Sequence, residues 1–252
     1  MSTLRIEDNP FAKKLGVKEW HERDLELPKP DEYLVSGVIP ANSLVCIRTN
    51  GVYGKTTLAM QLAMSIAFNI PFLGRYPVLQ SGKVLFLSAR DTEDDNYRRF
   101  KRLVREWAKI EPAIEQKIEK EITNLTCLSM YDDCYNLPAH LVDVSGSTSK
   151  TYSYLYHFIE YYKIKLLILD PVEDFFPEGI GNISEFYRKL RQLKSGVLLI
   201  AGRSQTHDLL HGVEIGISLH DKGLLIQNFY AGSLEVPLEI KSGIWNIPTY
   251  SL

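Results

Sequence analysis

The chain has 252 residues, 45% of them apolar and 24% charged, an ordinary composition for a folded domain that excludes global disorder, collagen-like repeats and low-complexity sequence. That length suits one α/β domain with an appendage, because two full domains would each be small. Lys plus Arg is 29 against Asp plus Glu 31, a formal net charge of -2, so no overall positive field draws the chain to nucleic acid or an anionic membrane, and any DNA contact must be local.

Residues 1–28 are polar, mixed in charge and broken by Pro10 and Pro28, and read as an N-terminal arm ahead of a single domain over 29–252. SLVCIR (43–48) is a short apolar run of the kind a buried parallel strand makes, and TLAMQLAMSIAF (57–68) carries Leu58, Leu62 and Ile66 at helical spacing. KVLFLS (83–88) is a second strand. EDDNYRRFKRLVREWAKI (93–110) places Phe100, Leu103, Val104 and Trp107 on one helical face, with acids first and bases later to complement the helix dipole. A further helix over 111–122, a strand LTCLSM (125–130), a long polar loop to 148 and an aromatic-rich helix over 152–162 follow. KLLILD (165–170) is the most clearly central strand; a helix over 184–195 leads from it to the strand GVLLIAG (196–202). The tail, VEIGISLH (213–220), KGLLIQNF (222–229), VPLEIK (236–241) and GIWNI (243–247), reads as short strands with glycine turns. Strands alternating with helices and then a run of strands indicate an α/β, mostly parallel twisted sheet flanked by helices, with a C-terminal antiparallel extension. Ligands of such sheets bind at the carboxyl ends of the parallel strands.

The start of the chain has no apolar run of signal-peptide length, and nothing approaches the roughly 18 apolar residues of a membrane span. The expectation is a cytoplasmic protein with no membrane attachment. Cys46, Cys127 and Cys134 contain no C-x-x-C pair and read as reduced thiols rather than a disulfide framework or zinc knuckle. His207 and His211 have ligand-like spacing but no evident third ligand, so no site of that kind is expected.

Between the first strand and the first helix lies Thr49-Asn50-Gly51-Val52-Tyr53-Gly54-Lys55-Thr56-Thr57. It matches the phosphate-cradling pattern GxxxxGK followed by Ser or Thr, except that Thr49 holds the place of the first glycine. Successive backbone amides and the helix N-terminus suit phosphate, so Asn50 through Thr57 are the expected ATP contacts, with Lys55 on the outer phosphates. A β-branched residue forced into a left-handed conformation would cost about 1–2 kcal/mol, so Thr49 predicts a reshaped start to the loop. The hydroxyl of Thr56 and the carboxylate of Asp170, at the tip of the strand beside this loop, are the expected ligands of Mg²⁺. A strand-terminal Asp that merely caps the turn at Pro171 is the structural alternative.

On these phrases, and on FLGRYPVLQSGKVLFLSARDTEDDNYRRFKRL (72–103), LLILDPVEDFF (166–176) and LHGVEIGISLHDKGLLIQNF (210–229), the chain resembles the RecA-like P-loop ATPases, in particular the RepA-type plasmid replicative helicases, with DnaB helicases and KaiC as more distant relatives. The resemblance covers nearly everything after residue 29. It implies a RecA-like fold, ATP and Mg²⁺ as cofactors, a ring or filament with nucleotide between subunits, and single-stranded DNA as a partner.

Two further departures from that family fall on the chemistry. The family's phrase after the second strand carries a Glu that polarises the attacking water, whereas this chain reads Ser88-Ala89-Arg90-Asp91. Arg90 is no base; Asp91, or less favourably Glu93, must then reach the water. The family's trans-acting cation has no counterpart in Gln227-Asn228-Phe229-Tyr230, and such a cation contributes about 10³–10⁵ in rate; Lys222 and Arg203 are the candidates to replace it. In Gly202-Arg203-Ser204-Gln205-Thr206-His207 the resemblance places a γ-phosphate sensor, Gln205 or His207, with an ordinary polar loop at a strand end as the structural alternative.

Arg98, Arg99, Lys101, Arg102 and Arg105 form the densest basic patch, read as a solvated or subunit-facing helix side before a nucleic-acid surface. The tyrosines at 152, 154, 156, 161 and 162 read as core and interface residues before base-stacking platforms. The combined expectation is an ATP-binding protein with weak or absent hydrolysis, working in a homo- or hetero-oligomer linked to DNA replication, recombination or repair. An active RepA-like helicase or DNA-dependent ATPase using Asp91, and a degenerate scaffold or regulatory subunit, are the alternatives. A small-molecule kinase fits worst, since nothing resembles a lid or acceptor pocket.

Overall fold

In the computed structural model, which describes residues 32–49, 54–131, 138–180, 183–202, 213–220, 223–228, 232–241 and 244–246, the apolar runs pair into one eight-stranded sheet. These residues all belong to the compact unit Glu32–Leu252. In chain order the strands are β1 (Tyr33–Val35), β2 (Ile39–Pro40), β3 (Leu44–Thr49), β4 (Val84–Ser88), β5 (Leu125–Ser129), β6 (Leu166–Asp170), β7 (Gly196–Ile200), β8 (Ile215–His220), β9 (Gly223–Asn228), β10 (Gly232–Pro237), β11 (Glu239–Lys241) and β12 (Ile244–Asn246). The helices are α1 (Lys55–Phe68), α2 (Glu93–Ile110), α3 (Ala113–Glu121), α4 (Lys150–Tyr162) and α5 (Ile183–Arg191).

The sheet order is β10-β9-β8-β3-β7-β6-β4-β5. The six strands from β8 to β5 run parallel, and β9 and β10 add antiparallel edges. The antiparallel extension thus begins at β9, because β8 runs parallel to β3. Two short hairpins, β1-β2 and β11-β12, stand outside the large sheet; the run 236–241, read as one strand, divides between β10 and β11. Helix α5 ends at Arg191, short of the expected 195, as the chain turns through Lys194 at a left-handed φ of 52°.

Buried on both faces, the parallel strands alternate their side chains between two cores. Val45, Ile47, Phe86, Ile168 and Leu198 pack on one side with α1, α2 and α3. Cys46, Leu85, Leu167, Leu169 and Leu199 pack on the other with α4 and α5. Helix α1 is buried at every position from Leu58 to Phe68. The polar Gln61 and Ser65 are therefore interior residues, and this helix is the axle of the fold.

Helix α2 starts on a capping box. The Thr92 hydroxyl accepts from the Asp95 amide at 3.1 Å, and the Asp95 carboxylate accepts from the Thr92 amide at 3.4 Å. Thr92→Ala should lower stability by about 0.5–2 kcal/mol, measured by urea denaturation; an unchanged midpoint would show that Asp95 alone suffices. The tyrosines of α4 divide: Tyr152 is buried and donates its hydroxyl to the Lys189 carbonyl at 2.9 Å, whereas Tyr154 and Tyr161 are exposed. Cys46 and Cys127 are free thiols, each pushed up to about 12 chiefly by burial; Cys134 lies outside the described residues. Among the described residues no helix is long and apolar enough to cross a membrane.

Candidate functional site

The carboxyl ends of β4, β6 and β7 and the first turn of α1 surround one open cleft of about 480 Å³, lined by Lys55, Thr56, Ser88, Arg90, Asp91, Asp170, Glu173, Gly202 and their neighbours. Sheet order explains the convergence. β3 ends at Thr49 and delivers the chain to α1, while β7 lies between β3 and β6. Asp170 is thus one strand away from the loop's own strand, not beside it. It nevertheless meets α1 across the cleft, because the Thr56 hydroxyl donates to its carboxylate.

Gly54 takes a left-handed conformation (φ 45°, ψ 33°) immediately before α1, and its carbonyl accepts the first helical bond from the Leu58 amide at 2.9 Å. A Cβ there would stand 3.4 Å from Trp245 Nε1. Glycine at this position is therefore required by backbone conformation, and a neighbour closes what room is left. Thr49 behaves differently from its expectation. It is a buried strand residue in register with Leu219 of β8, and it is absent from the positive-φ residues. The place of the first glycine is simply the end of a strand, where a β-branched residue costs nothing.

Burial raises Asp170 to about 6 from its ordinary 3.8; Asp91 adds to the rise, and the Thr56 hydroxyl, Arg99 and Lys55 oppose it. A carboxylate 7% exposed, bonded to a hydroxyl and facing an ammonium, is a site short of positive charge. That donor set fits Mg²⁺, which takes hard oxygen ligands and is commonly held by one or two carboxylates together with substrate phosphates. Among the described residues no group of three or more His, Cys, Asp or Glu side chains forms a metal cage, so a divalent ion here would need the substrate's oxygens as well.

The carboxylates near the second strand are committed elsewhere. Asp91 lines the cleft but pairs with Arg99 at 2.9 Å. Arg90, standing where the resemblance expects a glutamate, bonds both carboxylate oxygens of Asp174, at 2.6 and 2.8 Å. That bond, with the charges of Glu173 and Asp170, raises Arg90 above the ordinary arginine value. Glu93 lies away from the cleft, in a separate hollow with Tyr97, Phe100 and Cys127. Thr57 sits in the first turn of α1 without lining the cleft. Asn50, Gly51, Val52 and Tyr53 of the loop, and Gln205, His207, Arg203 and Lys222, lie outside the described residues.

Sequence reasoning missed Glu173. It sits in the 3₁₀ turn Val172–Phe175 that follows β6, and its Oε1 accepts from the Gly202 amide at 2.6 Å. Three residues beyond a strand-terminal Asp is a visible position, but only the turn brings that side chain back to the cleft.

The sequence matches the AAA domain family over residues 12–194. Among solved structures it is similar to the flagellar accessory protein FlaH from Methanocaldococcus jannaschii, with a TM-score of 0.52 and 15% identity over 85% of this chain and 93% of that one. No curated protein matches the sequence. The FlaH likeness is one of fold. The family match spans most of the chain, and with a parallel sheet of RecA-like fold that gathers Lys55, Thr56 and Asp170 at its carboxyl edge, the chain belongs to the AAA domain family.

Proposed function

We propose that this chain binds ATP with magnesium in the cleft and turns it over slowly. The observation that carries the reading is the placement of Lys55 and Thr56 on the first turn of α1 opposite Asp170. The N-terminus of that helix and its dipole favour an anion, and the Lys55 ammonium is the cation for the outer phosphates. Thr56 and Asp170 would hold the magnesium ion, whose charge offsets that of the phosphates. Slow turnover follows from the second strand's end, where Arg90 replaces the expected glutamate and Asp91 is bound to Arg99.

The expected oligomer, and a link to DNA replication, recombination or repair, rest on the RepA-type resemblance. On α2, Arg98 pairs with Asp94 and Asp95, and Arg99 with Asp91. The guanidinium groups of Arg98 and Arg99 are thus already engaged by carboxylates of the same chain, which supports the solvated-face reading of this patch over a nucleic-acid surface.

Thermal unfolding with and without ATP and magnesium tests the reading. At 100 times its dissociation constant the ligand should add about 2.7 kcal/mol. Lys55→Ala should weaken affinity about 10–100-fold, the value of a charge-assisted hydrogen bond. No shift in the unsubstituted protein would favour the scaffold reading. Turnover strongly stimulated by single-stranded DNA would favour an active helicase.

A further inference from the structure

We propose that Glu173 is the carboxylate that positions and deprotonates the water attacking ATP, in place of the glutamate that Arg90 displaces. The inference rests on the ATP-binding reading and deepens it. Of the other carboxylates lining the cleft, both have evident employment: Asp170 receives the Thr56 hydroxyl and Asp91 holds Arg99; Asp174, beside Glu173 in the chain, holds Arg90. Glu173 lines the same cleft and is only half committed. Its Oε1 takes the Gly202 amide, while Oε2 is buried without a hydrogen-bond partner among the described residues.

A buried carboxylate oxygen with no donor is costly to maintain, and native structures tolerate few of them without a functional reason. The rest of the seat is built for this side chain. A Cβ on Gly202 would lie 3.1–3.2 Å from the Glu173 carboxylate atoms, so glycine two residues past β7 is what admits the close approach. The Gly202 amide fixes one oxygen and so orients the whole carboxylate, leaving the other oxygen as an acceptor with capacity for a further donor. The donor the site lacks is a water beside the terminal phosphate.

In the step itself the water oxygen bonds to the γ-phosphorus as the bond from that phosphorus to the β–γ bridging oxygen breaks. ADP leaves with the electron pair. The water's proton passes to Glu173 and then to solvent, leaving inorganic phosphate. A positioned base contributes about 10²–10⁴ in rate.

The test combines single-turnover hydrolysis of ATP in the presence of magnesium with nucleotide affinity and the identity of the bound nucleotide after incubation, on the full chain. Glu173→Gln keeps the shape and the acceptor for Gly202. It should bind ATP within about threefold of the unsubstituted protein, lose at least about 100-fold in turnover, and retain ATP where the unsubstituted protein holds ADP. Glu173→Asp, one methylene short, should fold, bind ATP and keep part of the turnover. Turnover unchanged in Glu173→Gln overturns the proposal, as does turnover lost in Asp91→Asn but kept in Glu173→Gln. Binding without any turnover in the unsubstituted protein also overturns it. Absence of nucleotide affinity in the unsubstituted protein is the separate failure, that of the ATP-binding reading.

Discussion

Replacing Asp170 by asparagine should make the magnesium-free, nucleotide-free protein more stable at pH 7, by about 3 kcal/mol. The folded chain raises this carboxyl from 3.8 to about 6, with burial as the leading cause. Folded Asp170 therefore keeps its proton to higher pH than the unfolded chain does, so its contribution is fully favourable below about pH 4 and is lost as pH rises through 6. Asparagine escapes that loss because it never ionises. Urea denaturation of both proteins from pH 4.5 to 7 should show the advantage of Asp170→Asn growing from about 1 to about 3 kcal/mol. An advantage that stays flat or shrinks with rising pH would mean that Lys55, Arg99 and Thr56 already compensate the buried charge. Magnesium with ATP should reverse the ranking, since binding stabilises only a protein able to hold the ion. The carboxylate is a standing cost to the empty fold, retained where ligand charge relieves it.

The fold was legible because a buried parallel sheet writes continuous apolar runs into the chain, and KLLILD and GVLLIA cannot be read otherwise. The first two helices were equally plain, one from its motif and one from its amphipathic face. The short hairpin Tyr33–Pro40 was not. Its strands are three and two residues long, too brief to display a period. Among site residues, Lys55, Thr56 and Asp170 announce themselves through spacing along one chain. Glu173 does not, because its place in the cleft depends on a turn after β6 and on the absence of a side chain at Gly202, two residues past β7. The order of strands was also beyond reach. Parallel neighbours are joined by long crossovers, so nothing local marks β7 as the strand inserted between β3 and β6.

The same limit hid the support of the start of α1. Gln61, 2% exposed in the middle of α1, reads as one polar position on an otherwise apolar helix. In the fold its side-chain oxygen accepts from the Trp245 amide at 3.0 Å, and its Nε2 donates to the Trp245 carbonyl at 3.1 Å. One side chain thus does for β12 what a neighbouring strand would do, and it ties the last described strand to the helix that begins at Lys55. The Trp245 ring then approaches the Gly54 carbonyl, at 3.5 Å from Nε1. Gln61→Leu fills the volume but leaves two buried backbone groups without partners, each costing about 1–3 kcal/mol. Stability by urea denaturation should fall by about 2–5 kcal/mol, and hydrogen exchange at the Trp245 amide should accelerate with it. If Gln61→Leu exchanges that amide no faster than the unsubstituted protein, β12 is held by the packing of the Trp245 ring alone, and the paired hydrogen bonds are incidental to the support of the start of α1.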